Sequence, residues 1–211
     1  MKNLIQGIVN IFESGKFDGD YAALVVANDG IDGAPQISYG RSQLTESGGG
    51  LLRLLSLYDG KYAERLRALF KKPLGDEFKK LLVLAAGDEK MREAQDRIFD
   101  NLYWHPATIF CGREGLKTSL AQLLVYDSYI HSGKVPSYLR ARFPDKTADE
   151  LKWCRAYAQA RRDWLANHTN PLLRKCVYRM DFMLHQMDND NWMLTKFPLD
   201  VHGVRVVDYN D

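Results

Sequence analysis

The sequence predicts a mainly helical α+β protein, a helical body with a small β-lobe near the N-terminus. Three observations predict it. Apolar residues recur at helical spacing through residues 3–13 and again from Leu51 almost to the C-terminus. Between them, residues 16–50 carry Gly19, Gly30, Gly33, Gly40, Gly48, Gly49 and Gly50, with turn signals at Asp29-Gly30 and Asp32-Gly33. Two short apolar runs, Ala22 to Ala27 and Ile37 to Tyr39, lie inside that glycine-rich stretch and read as strands.

Taken in order, Leu4, Ile5, Ile8, Val9, Ile11 and Phe12 form the apolar face of a first helix, which Ser14 and Gly15 end. Glu13 therefore sits on the last turn, beside Phe12. The β-lobe, about residues 16–50, holds two or three short strands. Leu51, Leu52, Leu54, Leu55 and Tyr58 make the next helix, and Tyr62 to Lys72 and Glu77 to Ala86 make two more. Lys90 to Trp104 places Met91, Ala94, Ile98 and Leu102 on one face. Leu116 to His131 is the most apolar helix. Ala148 to Asn167 and Pro171 to Met187 are long and amphipathic, and Val201 to Val207 alternates as a terminal strand or hairpin. Residues 1–15 and 51–211 thus form the helical body. A groove is expected between body and lobe, within one domain of 211 residues.

Composition excludes several classes. The net charge of +2 is spread along the chain, so neither nucleic acid nor a membrane surface is an expected partner. No stretch of about 18 apolar residues predicts a membrane span. Cys111, Cys154 and Cys176 are too few and too scattered for a disulfide framework or a zinc site, and are expected reduced. His105, His131, His168, His185 and His202 show no ligand spacing, so neither metal nor organic cofactor is implied. A monomer is expected. The N-terminal apolar positions are interrupted by Gln6, Asn10 and Glu13, an amphipathic helix and not a signal-peptide core.

Glycoside hydrolysis needs two carboxyl groups across the scissile bond, one protonated and one ionised. A carboxyl at a helix C-terminus beside apolar side chains meets the first need, because burial and the negative end of the helix dipole favour its neutral form. Glu13 fits that description. A carboxyl in a wetter, glycine-rich lobe meets the second, and Asp29 and Asp32 both fit. The plain alternative is that Glu13 is a solvated helix end and the Asp-Gly pairs are only turns.

The stretch Ile8-Val9-Asn10-Ile11-Phe12-Glu13, followed by Tyr21 and then Asp29-Gly30, resembles the signature of glycoside hydrolase family 46. Ser38-Tyr39-Gly40 is similar to the Thr-x-Gly of lysozyme-like families. Gln95-Asp96-Arg97-Ile98-Phe99-Asp100 with Pro106 resembles the family's Gln/Arg helix leading to an Asp-Pro turn. The stretch Leu123 to Gly133 is similar to its central buried helix, and Ala158-Gln159-Ala160-Arg161-Arg162-Asp163-Trp164 to its later Ala-Arg helix.

The resemblance implies a lysozyme-like, two-lobed fold and an inverting chitosanase. Glu13 would be the acid and Asp29 the base, with Asp32 as the alternative base. Ser38 would help hold the water, and Tyr21, Tyr39 and Arg41 would meet the substrate. Arg41 reads equally well as a solvated loop residue. Asp127, in the most apolar helix, needs a cationic partner. Arg161 is assigned to it, as a pair that tunes Glu13 or as a purely structural one.

Two departures keep alternatives open. The run from Ile31 to Ile37 lengthens the segment after Asp29, which leaves Asp32 in contention. The family's substrate-binding Asp before the post-lobe helix corresponds to Gly50 here. The polymer is therefore chitosan or a peptidoglycan glycan strand, met outside the cell or at the cell wall after secretion or release. The alternative from another class is a non-catalytic glycan-binding module.

Overall fold

The computed structural model describes residues 1–28, 30–41, 43–71, 74–143 and 149–208. Two compact units emerge, one of Met1–Gly19 with Tyr103–Asp211 and one of Asp20–Leu102.

The first unit is built around helix α7 (Ser119–Ser132). Thr118 caps it, its hydroxyl accepting from the Ala121 N–H at 3.3 Å. Leu120, Leu123, Leu124, Val125, Tyr126, Asp127 and Ser128 are all buried, so this helix is covered nearly all round. Helix α1 (Lys2–Ser14) packs on it through Leu4, Ile5, Ile8, Val9, Ile11 and Phe12. Gly15 closes α1 at φ 71°, its N–H donating to the Ile11 carbonyl at 2.9 Å. Helix α8 (Glu150–Ala166) starts at Asp149, whose carboxylate accepts from the Lys152 N–H. Trp153 and Tyr157 of α8 are fully buried, with ring centroids 5.3 Å apart.

Two of the expected helices are divided. Lys90 to Trp104 is not one helix. Its α-helical part ends at Phe99, a π-turn spans Asp100–Trp104, and α6 (His105–Glu114) follows. Pro106 explains the widening. It has no N–H for the carbonyl one turn back, and its ring crowds that carbonyl, yet it suits the first turn of a new helix. The Asp-Pro turn expected there is a helix start. Pro171 to Met187 is also divided, into α9 (Pro171–Arg174), a 3₁₀ turn at Lys175–Val177 and α10 (Tyr178–Asp188). Cys176 and Val177, both weak helix formers, sit in that turn. The terminal strand is a hairpin, β4 (Leu199–Val201) antiparallel to β5 (Val204–Val206), and β4 packs on α1. Ala148, the expected start of α8, lies outside the described residues.

The second unit begins with a three-stranded antiparallel sheet: β1 (Leu24–Ala27), β2 (Gln36–Tyr39) and β3 (Leu44–Thr45). Val25 pairs with Ser38, and Ser38 with Thr45. Helices α2 (Gly50–Leu57), α3 (Ala63–Leu69), α4 (Asp76–Ala85) and α5 (Glu89–Phe99) follow. Leu51, Leu54, Leu55, Phe78, Leu82, Met91 and Ile98 form their shared core. Ile37 and Tyr39 join it from the sheet. Lys72, the expected end of α3, lies outside the described residues.

One glycine here is required twice. Gly40 has φ 76°, and a Cβ on it would lie 2.2 Å from the Gln95 side-chain oxygen. Gly40→Ala is expected to cost about 1–3 kcal/mol of stability, read by urea unfolding. A loss below about 0.5 kcal/mol would show that Gln95 moves aside freely.

Candidate active site

Glu13 lies on the last turn of α1, and its partner comes from the start of α10. Arg179 Nη2 donates to Glu13 Oε1 at 2.7 Å. The Glu13 side chain is 47 % exposed, so it is less buried than a helix end beside Phe12 suggests. Arg179 is 3 % exposed and turns its other arm inward, Nη1 donating to Asp127 Oδ1 at 2.7 Å. Asp127 in turn accepts from Arg161 Nη1 at 2.6 Å through its second oxygen. Arg161 also donates to Ser128 Oγ at 3.0 Å, and Ser128 Oγ lies 2.7 Å from the Tyr157 hydroxyl. Both Asp127 and Arg161 are fully buried. The result is a continuous chain of charges, Glu13 to Arg179 to Asp127 to Arg161, from a half-exposed carboxylate into the core.

Electrostatics follows from that chain. Burial alone would raise Asp127, but the charges of Arg161 and Arg179 outweigh it and hold the carboxyl below its usual range. Burial opposes the charge on Arg179, yet Asp127 and Glu13 more than restore it. His131, one turn after Asp127, is pushed down from 6.5 to about 4 by burial and by Arg161 and Arg179, against the pull of Asp127. Tyr103 is raised by burial and by the charge of Glu13.

His131 gives a testable sign. Between pH 6.5 and about 4 the unfolded chain takes up a proton that the folded chain refuses, so stability falls as pH drops through that window. His131→Gln removes the effect. Its melting temperature, relative to wild type, is expected to be higher at about pH 4.5 than at about pH 7. An identical difference at both values would contradict this.

The second unit carries the remaining sequence-predicted residues. Asp29 lies outside the described residues. Asp32 is exposed at φ 55° in a short 3₁₀ turn, Ile31–Gly33. Ser38 is half-buried in the middle of β2. The Tyr21 hydroxyl donates to both oxygens of Asp96, at 2.8 and 3.0 Å. Burial, aided by Asp96, pushes that phenol up to about 12 in spite of Arg41. Arg41 is not a solvated loop residue. Its side chain is 5 % exposed, pairs with Asp96 and lies 4.4 Å over the Phe99 ring. Gln95 ties the two segments together, accepting from the Arg41 N–H and donating to the Tyr21 carbonyl, both at 3.0 Å. Tyr39 is a core residue, fully buried, its hydroxyl donating to the Leu82 carbonyl at 2.6 Å. With no exposed surface, its ring does not meet a substrate as the sequence reading expected.

Sequence reasoning missed Arg179, Tyr178 and Tyr103. Asp127 with Arg161 is already neutral, so charge balance inside the core asks for no second cation. The signal lay in Arg179 itself, a charged residue on a helix face otherwise made of Met180, Phe182, Met183, Gln186 and Met187. Among the described residues, no three His, Cys, Asp or Glu side chains gather as a metal site, and no helix is long and apolar enough to cross a membrane.

Comparison with known proteins bears on this arrangement. The chain is 28 % identical over 222 residues to a chitosanase of Bacillus subtilis (strain 168), an alignment covering 92 % of this chain and 79 % of that one. It superposes with a TM-score of 0.72 on the crystal structure of native chitosanase from Bacillus subtilis MY002, at 25 % identity, covering 93 % of this chain and 92 % of the other. It superposes with a TM-score of 0.73 on a Gynuella sunshinyii GH46 chitosanase in complex with chitotetraose, at 21 % identity, covering 98 % and 96 %. The fold is thus lysozyme-like, as in these chitosanases. Residues 60–196 match glycosyl hydrolase family 46, and the chain belongs to that family of glycoside hydrolases.

Proposed function

We propose that this protein is an endo-acting chitosanase that cleaves β-1,4-linked glucosamine polymers outside the cell with inversion. The observation that carries the reading is the hold on Glu13, a carboxylate at a helix end anchored through Arg179 to the buried Asp127–Arg161 pair. Catalysis by a positioned carboxyl requires that it stay near its working geometry. Two charge-assisted bonds on Arg179, one to each acid, supply that restraint.

In the proposed reaction Glu13, 47 % exposed, takes a proton from solvent before each turnover and gives it to the glycosidic oxygen as the bond to the anomeric carbon breaks. Asp29 removes a proton from the attacking water, and Ser38 helps hold that water. Inversion by this route requires the two carboxyl groups to stand about 6.5–9.5 Å apart. Asp32, exposed in a short turn, is the alternative base. The relatives support a cationic amino-sugar polymer. A mutant chitosanase from Bacillus subtilis MY002, 25 % identical to this chain, is known in complex with 6 GlcN.

One observation favours peptidoglycan as a second polymer. By the resemblance, Gly50 stands where the family carries a substrate-binding Asp, which removes one carboxylate that would meet a glucosamine ammonium group. Chitosan and purified cell walls are to be digested side by side and the products weighed by mass spectrometry. Glucosamine oligomers from chitosan are expected, with the α-anomer appearing first by proton NMR. A β-anomer would overturn inversion, and products from cell walls alone would overturn the choice of polymer.

A further inference from the structure

We propose that His202, in the terminal hairpin, is a positioning residue for Glu13 and acts through Tyr178. The proposal rests on the reading of Glu13 as the acid.

The last carbonyls of a helix have no partner inside it, so something else must hold them. At the end of α1 the Phe12 carbonyl is held by Tyr178, whose hydroxyl donates to it at 2.7 Å. The next residue, Arg179, bonds Glu13 itself. Tyr178 therefore grips the backbone of this helix end at short range, while Arg179 grips the carboxylate and reaches the same Phe12 carbonyl only at 3.5 Å. The Tyr178 ring also meets the Phe12 ring edge-on, with centroids 5.8 Å apart.

Tyr178 is itself held by His202. The two rings stack with centroids 3.7 Å apart and planes 15° from parallel. His202 and Gly203 are the two residues between β4 and β5, at φ 46° and 86°. A two-residue turn with both φ positive is best served by Asn or Asp ahead of the glycine. Histidine adds nothing that such a turn needs, and it sits in a backbone region that non-glycine residues seldom enter. Its flat ring on Tyr178 is what the position gains. Leu199 and Val201 are fully buried, which fixes the hairpin that carries the ring. The line of support runs from hairpin to His202, to the Tyr178 ring, to the Phe12 carbonyl, to Glu13.

The test compares full-length wild type with His202→Asn, His202→Phe, Tyr178→Phe and Glu13→Gln on a glucosamine hexamer. Asparagine suits the turn and removes the ring, so folding is preserved while the stack is lost. His202→Asn is expected to lower kcat about tenfold with KM and melting temperature nearly unchanged. His202→Phe restores a flat ring and is expected to return kcat to within about twofold of wild type. Tyr178→Phe keeps the stack, loses the bond to Phe12 and lowers kcat like His202→Asn. Unchanged kcat in His202→Asn, a loss seen only in KM, or failure of phenylalanine to rescue would overturn the proposal while leaving Glu13 as acid if Glu13→Gln is inactive. An active Glu13→Gln would overturn the acid assignment, and this proposal with it.

Discussion

Glu13→Gln is expected to lower kcat on chitosan by about 10²–10⁴-fold, the usual weight of a general acid. The substitution is chosen to change little else. The amide oxygen of glutamine can still accept from Arg179, and the side chain keeps its length at the end of α1. The melting temperature should therefore stay within a few degrees of wild type. Part of any stability change is the difference between a charge-assisted bond and a neutral one, which is modest for a half-exposed group. Release of reducing ends from chitosan reads the rate, and thermal denaturation reads the fold. A folded variant that keeps more than a tenth of wild-type activity would remove Glu13 from the acid role.

Asp127→Asn should have the largest effect on stability. It leaves Arg161 and Arg179, both buried, facing each other across a neutral amide. Removing one partner from a buried ionic cluster costs about 3–5 kcal/mol, because the remaining charges keep their desolvation cost without their counter-charge. For a chain of this size that is a fall of about 6–20 °C in melting temperature. The pH dependence has a definite sign. The folded-state pKa of Asp127 is lowered, so its contribution is complete above the ordinary carboxylate value and disappears as pH falls through the folded value. The gap between wild type and variant is thus full at neutral pH and narrows only in strong acid. Activity should fall as well, since Arg179 loses the anchor that fixes its aim at Glu13. A variant as stable as wild type at neutral pH would show that this cluster is not what holds the unit together.

The parts of the molecule that were legible in the sequence share a cause. Helix α1 is readable because a single apolar face, Leu4 to Phe12, and a terminal Gly15 agree with each other. The β-lobe is readable because its turns are marked by glycines. That Asp127 has a cationic partner is readable because a lone charge in so apolar a helix must be answered, and the family resemblance points to Arg161. The unreadable parts also share a cause. The break at Lys175–Val177 and the π-turn at Asp100–Trp104 are small changes of pitch inside segments that are helical on either side, and periodicity does not register them. Arg179 escaped because its need arises from Glu13, far away in sequence. Tyr39 is expected at the substrate by resemblance, and its burial in the core is not visible from its neighbours in sequence.

The bond between Arg179 and Glu13 joins residues 166 positions apart. A nascent chain emerging from the ribosome therefore makes Glu13 early and Arg179 late. Until the segment beyond Tyr178 has been synthesised and docked, the first helix has no guanidinium to meet. Non-local closure of this kind is slow and late in folding. Hydrolytic competence should accordingly arise in one step near the end of maturation. A chain cut short before Tyr178 would display its glutamate and cleave nothing.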